Sequence, residues 1–138
     1  MDKPILNSIA VDASCLGNPG PVEYKGVHPR SKKVVFKFGP LPGGTNNLGE
    51  FLAIVHALAL CKKHNLKIPI YSDSVTAISW VKAKTINTNM QRNDKNTKLF
   101  VVIDRAIKWL KENTYTNEVL KWNTREWGEI PSDFGRKE

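Results

Sequence analysis

Long apolar runs are missing from this chain. No stretch approaches the ~18 residues that a membrane span needs, so no contact with a membrane is expected. The opening Met1-Asp2-Lys3-Pro4 is polar and carries a proline, which does not fit a secretory signal peptide. Cysteine is scarce: Cys15 and Cys61 form no metal-binding spacing and require no bridge, which fits a reducing cytoplasm. Repeats and low-complexity tracts are absent. Acid is short as well, with 13 Asp and Glu against 21 Lys and Arg and a formal net charge of +8. That excess suggests a polyanionic partner, nucleic acid first, although a basic solvated surface has the same composition. What remains is ordinary: 138 residues, 41% hydrophobic and 25% charged, read as a single domain over 1–138 with room for a real core.

The chain is organised around Ile9-Ala10-Val11-Asp12-Ala13-Ser14-Cys15-Leu16-Gly17-Asn18-Pro19-Gly20-Pro21. Ile9 to Val11 has the length and branching of a buried strand. Gly17, Asn18, Pro19 and Gly20 supply the backbone freedom of a tight reversal. Asp12 ends the apolar run, and a charge there must be paired, protonated or metal-bound. It either accepts hydrogen bonds from the turn or ligates a metal.

Strands are expected over 4–13, 22–27 and 34–38, forming an antiparallel meander. Gly39 to Gly44, with two prolines and three glycines, reads as irregular. Asn47 followed by Glu50 matches a capping box opening a helix that runs to about His64. That helix is apolar nearly all round, and Glu50 shares a row with Ile54, Ala57 and Cys61. A fourth strand covers 67–72, with Pro69 near its start, and Asp73 follows it. The helix over 75–84 turns Val75, Ile78 and Val81 inward, with Trp80 on its flank. A Thr- and Asn-rich link, 85–97, leads to an amphipathic helix over 98–112 whose inner face is Leu99, Val102, Ile103, Ala106 and Leu110. The fifth strand is placed at 118–122, and Asp133 in a closing helical turn. Later strands separated by helices should run parallel to the first through right-handed crossovers, giving an α/β fold with a mixed sheet. Sites in such sheets form beyond the carboxyl ends of parallel strands, where Asp12 and Asp73 both fall.

Four acids therefore stand apart: Asp12, Glu50, Asp73 and Asp133. Each has a plainer use: Asp12 in its turn, Glu50 in the capping box, Asp73 as N-cap of the next helix, Asp133 capping the last turn. A chain short of acid that gathers several at one rim creates repulsion, which raises their pKa values unless a cation intervenes. An all-oxygen set without nearby His or Cys favours Mg²⁺ or Mn²⁺ over zinc. Two such ions ~4 Å apart suit in-line phosphoryl displacement.

Asp12-Ala13-Ser14 with Gly17-Asn18-Pro19-Gly20, Thr45-Asn46-Asn47 with Glu50, Tyr71-Ser72-Asp73-Ser74, then Trp122 and Trp127-Gly128 with Asp133 form an ordered set across essentially the whole chain. This set resembles type 1 ribonuclease H. The resemblance implies a ribonuclease H-like fold, a five-stranded mixed sheet with its second strand antiparallel and flanking helices. It also implies endonucleolytic cleavage of the RNA strand of RNA–DNA hybrids with two Mg²⁺ ions, leaving 3′-hydroxyl and 5′-phosphate ends; Mn²⁺ is expected to substitute. Asp12, Glu50, Asp73 and Asp133 would be the metal ligands, Asp12 shared by both ions. Ser14, Cys15, Gly17 and Glu50 would lie against RNA 2′-hydroxyls, groups a hybrid's shallow minor groove exposes. Asn18, Asn46 and Asn47 would reach base edges or phosphates. Thr45 with Asn47, Thr88 and Asn89 resembles the family's DNA-phosphate pocket, and Trp80 an aromatic packed on a DNA sugar or, equally, a flank of the core.

Departures from the family pattern are visible. Val75 stands where many members carry a substrate-reaching Gln. No His lies in the loop before Asp133, where Glu129 resembles an acidic variant or is a solvated charge. A basic helix is missing between Lys84 and Arg92, and no hybrid-binding domain is expected before Met1. Affinity should be modest and salt-sensitive. The chain is expected to act as a cytoplasmic monomer. Two rivals remain open: a nuclease or strand-transfer domain of the same fold acting on DNA, and a non-catalytic nucleic-acid-binding module.

Overall fold

The computed structural model describes residues 3–135. Strands β1 (Ile9–Cys15), β2 (Gly20–Val27) and β3 (Val34–Gly44) form an antiparallel meander. Helix α1 (Asn46–Lys63), strand β4 (Ile70–Ser72), helices α2 (Val75–Ala83) and α3 (Thr97–Glu112), strand β5 (Val119–Lys121) and the single turn α4 (Thr124–Trp127) follow. The sheet order is β3-β2-β1-β4-β5, with β4 and β5 parallel to their neighbours. This is the mixed five-stranded sheet expected from the sequence.

Alternation along β1 divides the molecule. Ile9, Val11 and Ala13 join Tyr24 and Ile70 against α1 in the main core. Ala10 instead meets Tyr71, Trp122 and Ile130 in a small cluster on the other face. Helix α1 touches β1, β2, β4, α2 and α3, and its buried residues include Leu48, Phe51, Ile54 and Leu58. Contact on several sides is what an apolar helix without a polar face requires.

Several boundaries differ from the sequence reading. β1 starts at Ile9 rather than Pro4, because Ser8 turns back to donate to the Ile5 carbonyl at 2.7 Å. It also continues past Ala13 to Cys15, since β2 pairs it through Ser14↔Glu23 and Cys15↔Val22. Gly39 to Gly44 is strand, not irregular: β3 is a sheet edge, where register shifts absorb Pro40 and Pro42. The N-cap of α1 is Thr45, whose hydroxyl accepts from the Leu48 amide at 3.4 Å, so the Asn47–Glu50 capping box does not form. β4 begins after Pro69, whose carbonyl accepts from the Ile9 amide at 3.1 Å. Val75 is exposed and Ile78 only partly covered, whereas Val81 is buried as expected and Ala77 joins it. α3 starts at Thr97 and buries Phe100 in addition to the expected stripe, while Val102 is half-buried. The closing helical turn is α4, which precedes Asp133 rather than holding it.

Candidate active site

The parallel ladder between β1 and β4 is short, pairing Ile9 with Ile70 and Ala10 with Tyr71. Two residues further along each chain stand Asp12 and Asp73. Relative to this ladder both acids lie just beyond its end, although β1 itself runs on beside β2. Glu50 arrives from the start of α1. Its approach depends on Gly49, where a Cβ would lie 2.6 Å from Val22 Cγ1 and 2.9 Å from Ala13 Cβ. Glycine thus lets the helix sit directly on β1 and β2. Carboxylate oxygens of Asp12, Glu50 and Asp73 lie within 4.8 Å of one another.

Burial and repulsion make this trio costly to ionise. Asp12, 7% exposed, is pushed up to about 6, chiefly by burial, with Asp73 and Asp133 adding and the hydrogen bond to Glu50 and the Ala13 amide opposing. Glu50 is raised well above the ordinary carboxylate range by burial first, then by its contact with Asp12. Asp73 is raised by burial, against the nearby Lys121 ammonium, with Asp133 and Glu129 pushing the same way as burial. Glu50 Oε1 is buried without a hydrogen-bond partner. A buried, orphaned acceptor costs free energy of the order of 1–3 kcal/mol or more when charged. Three oxygen donors and an unmet acceptor fit a hard divalent cation, and Asp12, Glu50 and Asp73 could hold one.

The plainer uses of two acids are taken by other residues. Thr45 caps α1, leaving Glu50 free of that duty. Ser74 caps α2, its hydroxyl accepting from the Ala77 amide at 3.0 Å, so Asp73 is not the cap. Asp133 lies outside the tight trio. Its amide donates to the Ile130 carbonyl at 2.9 Å and its Oδ2 accepts from the Gly135 amide at 3.1 Å. Its charge is nonetheless felt by both Asp12 and Asp73. Glu129 is exposed and acts on Asp73 alone of these.

At the start of α1 lies a cleft of about 450 Å³, lined by Asn18, Thr45, Asn47, Trp80, Thr88 and Asn89, together with Asn87 and Met90. Six residues singled out from sequence thus meet in one cleft, whereas Asn46 is exposed outside it. Asn87 and Met90 were missed; nothing in a Thr- and Asn-rich link marks which of its residues turn inward. Trp80 is half-buried and edge-on to Phe51 at 6.4 Å, so it serves the core and the cleft wall together. Ser14 is buried two residues past Asp12, on the same face of β1. Cys15 Sγ donates to the Gly17 carbonyl at 3.0 Å and to that of Gly44 at 3.4 Å, and Gly17 has a left-handed φ of 115°. The Gly17–Gly20 turn is therefore held beside the end of β3.

The RNase H family model matches residues 7–125. The chain belongs to the RNase H family. Ribonuclease H of Ehrlichia ruminantium is 33% identical over 124 residues, covering 82% of this chain and 83% of its own. Ribonuclease H of Acetivibrio thermocellus is 30% identical over 139 residues, covering 86% and 92%. Among solved structures, the RNase H1 of Halobacterium salinarum superposes with a TM-score of 0.50 at 20% identity, covering 86% of each chain. The structure of a compost-derived RNase H1 in complex with an RNA/DNA hybrid gives a TM-score of 0.52 at 16% identity, again covering 86% of each. The RNase H fold is thus shared at low identity, while family membership rests on the sequence matches.

Proposed function

We propose that the chain is a divalent-metal-dependent ribonuclease H that cleaves the RNA strand of RNA–DNA hybrids. The observation that carries this reading is the meeting of Asp12, Glu50 and Asp73 within 4.8 Å in a chain of this family. A pure binder of a polyanion gains nothing from buried anions on its contact face. The compost RNase H1 solved with a hybrid supports the substrate class.

In this reading Asp12, Glu50, Asp73 and Asp133 would hold two Mg²⁺ ions, for which Mn²⁺ could stand in. Bound metal would lower the pKa of the attacking water and offset charge on the leaving oxygen, giving 3′-hydroxyl and 5′-phosphate ends. The chain's own residues place the substrate. Thr45, Asn47, Thr88 and Asn89 offer hydroxyl and amide donors in the cleft for a DNA phosphate, close to the amides that open α1. Trp80 gives that strand an apolar wall. Ser14, Cys15, Gly17 and Asn18, following Asp12 directly, face the RNA strand, whose 2′-hydroxyls distinguish it from DNA. Asn46, exposed, reaches the groove from α1, and Glu129 acts on Asp73 from the loop. We read 1–138 as a catalytic domain working as a monomer.

Labelled DNA, RNA and hybrid duplexes incubated with Mg²⁺ or with chelator test the reading. Cleavage of the RNA strand of the hybrid alone, abolished by chelator, is expected. Equal cleavage of DNA would favour the DNA-acting relative, and binding without turnover in both Mg²⁺ and Mn²⁺ the binding module.

A further inference from the structure

Asp133 occupies an unusual place among the acids. Asp12 stands within β1, Glu50 within α1 and Asp73 directly after β4, but Asp133 sits on a segment without regular structure. On its N-terminal side the segment is anchored by Ile130, 2% exposed, inserted among Ala10, Tyr71 and Trp122. On its C-terminal side the next residue is Phe134. Lys25 Nζ stands 4.7 Å from the centre of the Phe134 ring and Lys37 Nζ 5.9 Å. Those lysines are not random surface charges. Lys25 is the cross-strand partner of Asp12 on β2, and Lys37 is the partner of Lys25 on β3. Cross-strand partners share a face, so Asp12, Lys25 and Lys37 form a row across the sheet, with Phe134 over its two cations.

We propose that Phe134, held by Lys25 and Lys37, is a clasp that positions Asp133 at the acid cluster, making all three positioning residues for the fourth carboxylate. The inference rests on the ribonuclease H reading above and names how this chain, with its last acid outside any helix, meets that requirement. Two anchors one and three residues from Asp133 restrict a backbone that carries the Gly135 amide to Asp133 Oδ2 hydrogen bond. Cation–π contact needs the positive charge and the ring face together. Arginine should therefore replace Lys25, whereas an uncharged side chain should not.

The test uses the full chain with and without Mg²⁺. In metal-free protein, hydrogen exchange at the Asp133 and Gly135 amides should quicken about threefold to tenfold in Phe134→Leu and Lys25→Gln. The Trp122 amide, bonded to the Ser72 carbonyl at 2.8 Å, should be unchanged and so reports intact folding. Calorimetric Mg²⁺ titration should show half-saturation moving upward by a similar factor in both variants. Lys25→Arg should restore both readings. The Lys25→Gln/Phe134→Leu double variant should be no worse than Phe134→Leu alone, because losing the ring already removes the contact that Lys25→Gln loses. Unchanged exchange and titration in Phe134→Leu, or fully additive effects in the double variant, would overturn the clasp. Asp133→Asn separates the two readings. If it leaves the titration unchanged while Asp73→Asn shifts it, Asp133 is no ligand and the proposal falls with that assignment; if wild type takes up no Mg²⁺, the functional reading fails first.

Discussion

Asp12 carries the sharpest consequences at the scale of single residues. Its carboxyl is raised from 3.8 to about 6 in the fold, so in that interval the native state holds more protons than the unfolded chain. Stability of metal-free protein should be greatest below 3.8 with respect to this group and fall as pH rises through about 6. Asp12→Asn should flatten that slope and, in chelator at neutral pH, stabilise the fold by on the order of 2 kcal/mol. Thermal melts across pH in chelator measure both; a turn-holding role would give the opposite sign. Asp73→Asn should lose RNA cleavage by at least about a hundredfold while hybrid affinity stays within a factor of about three, as electrostatic stabilisation of the reacting groups is lost and phosphate contacts are kept. Single-turnover kinetics beside a binding titration would show it, and a variant cutting at a comparable rate would remove Asp73 from the ligand set.

Elements bring these residues together, and here the sequence was legible unevenly. The apolar character of α1 made the burial of Glu50 readable, and the turn residues 17–20 closed the β1–β2 hairpin where expected. The start of α1 was misplaced because Thr45, Asn46 and Asn47 are all good caps in composition, and only the observed bond to Leu48 separates them. Thr45→Ala should accordingly cost ~1 kcal/mol in a denaturant titration, more than Asn47→Ala. The second half of β3, from Gly39 to Gly44, hid because its prolines and glycines are tolerated only at an edge with register shifts, a tertiary fact. Gly49 was read over entirely: its need appears only where Val22 and Ala13 close on it. Gly49→Ala should destabilise by about 1–3 kcal/mol despite alanine's better helix propensity, by forcing α1 away from β1. The same displacement should raise the Mg²⁺ needed for half-maximal rate, and equal metal requirements would show that Glu50 does not depend on this approach.

On the scale of the whole molecule, the fold opposes two charge patterns. A net charge of +8 is spread over the chain, while Asp12, Glu50 and Asp73 are concentrated at one point. In the proposed reading the dispersed positive charge attracts a polyanion at long range, while the three gathered carboxylates are suited to a divalent cation. Raising monovalent salt from about 50 to about 200 mM should therefore raise KM for a hybrid by at least about tenfold with little change in kcat, read from initial rates. No helix among the described residues is long and apolar enough to cross a membrane, consistent with the absence of long apolar runs. The order of motifs along the chain pointed to the fold, but the exclusion of Asp133 from the tight trio needed coordinates.

Crystals of the protein soaked in Mn²⁺ and measured by anomalous diffraction test the central claim most directly. A peak bounded by Asp12, Glu50 and Asp73, lost in Asp73→Asn, is the result expected. Anomalous density elsewhere on the molecule with none between those carboxylates would contradict it.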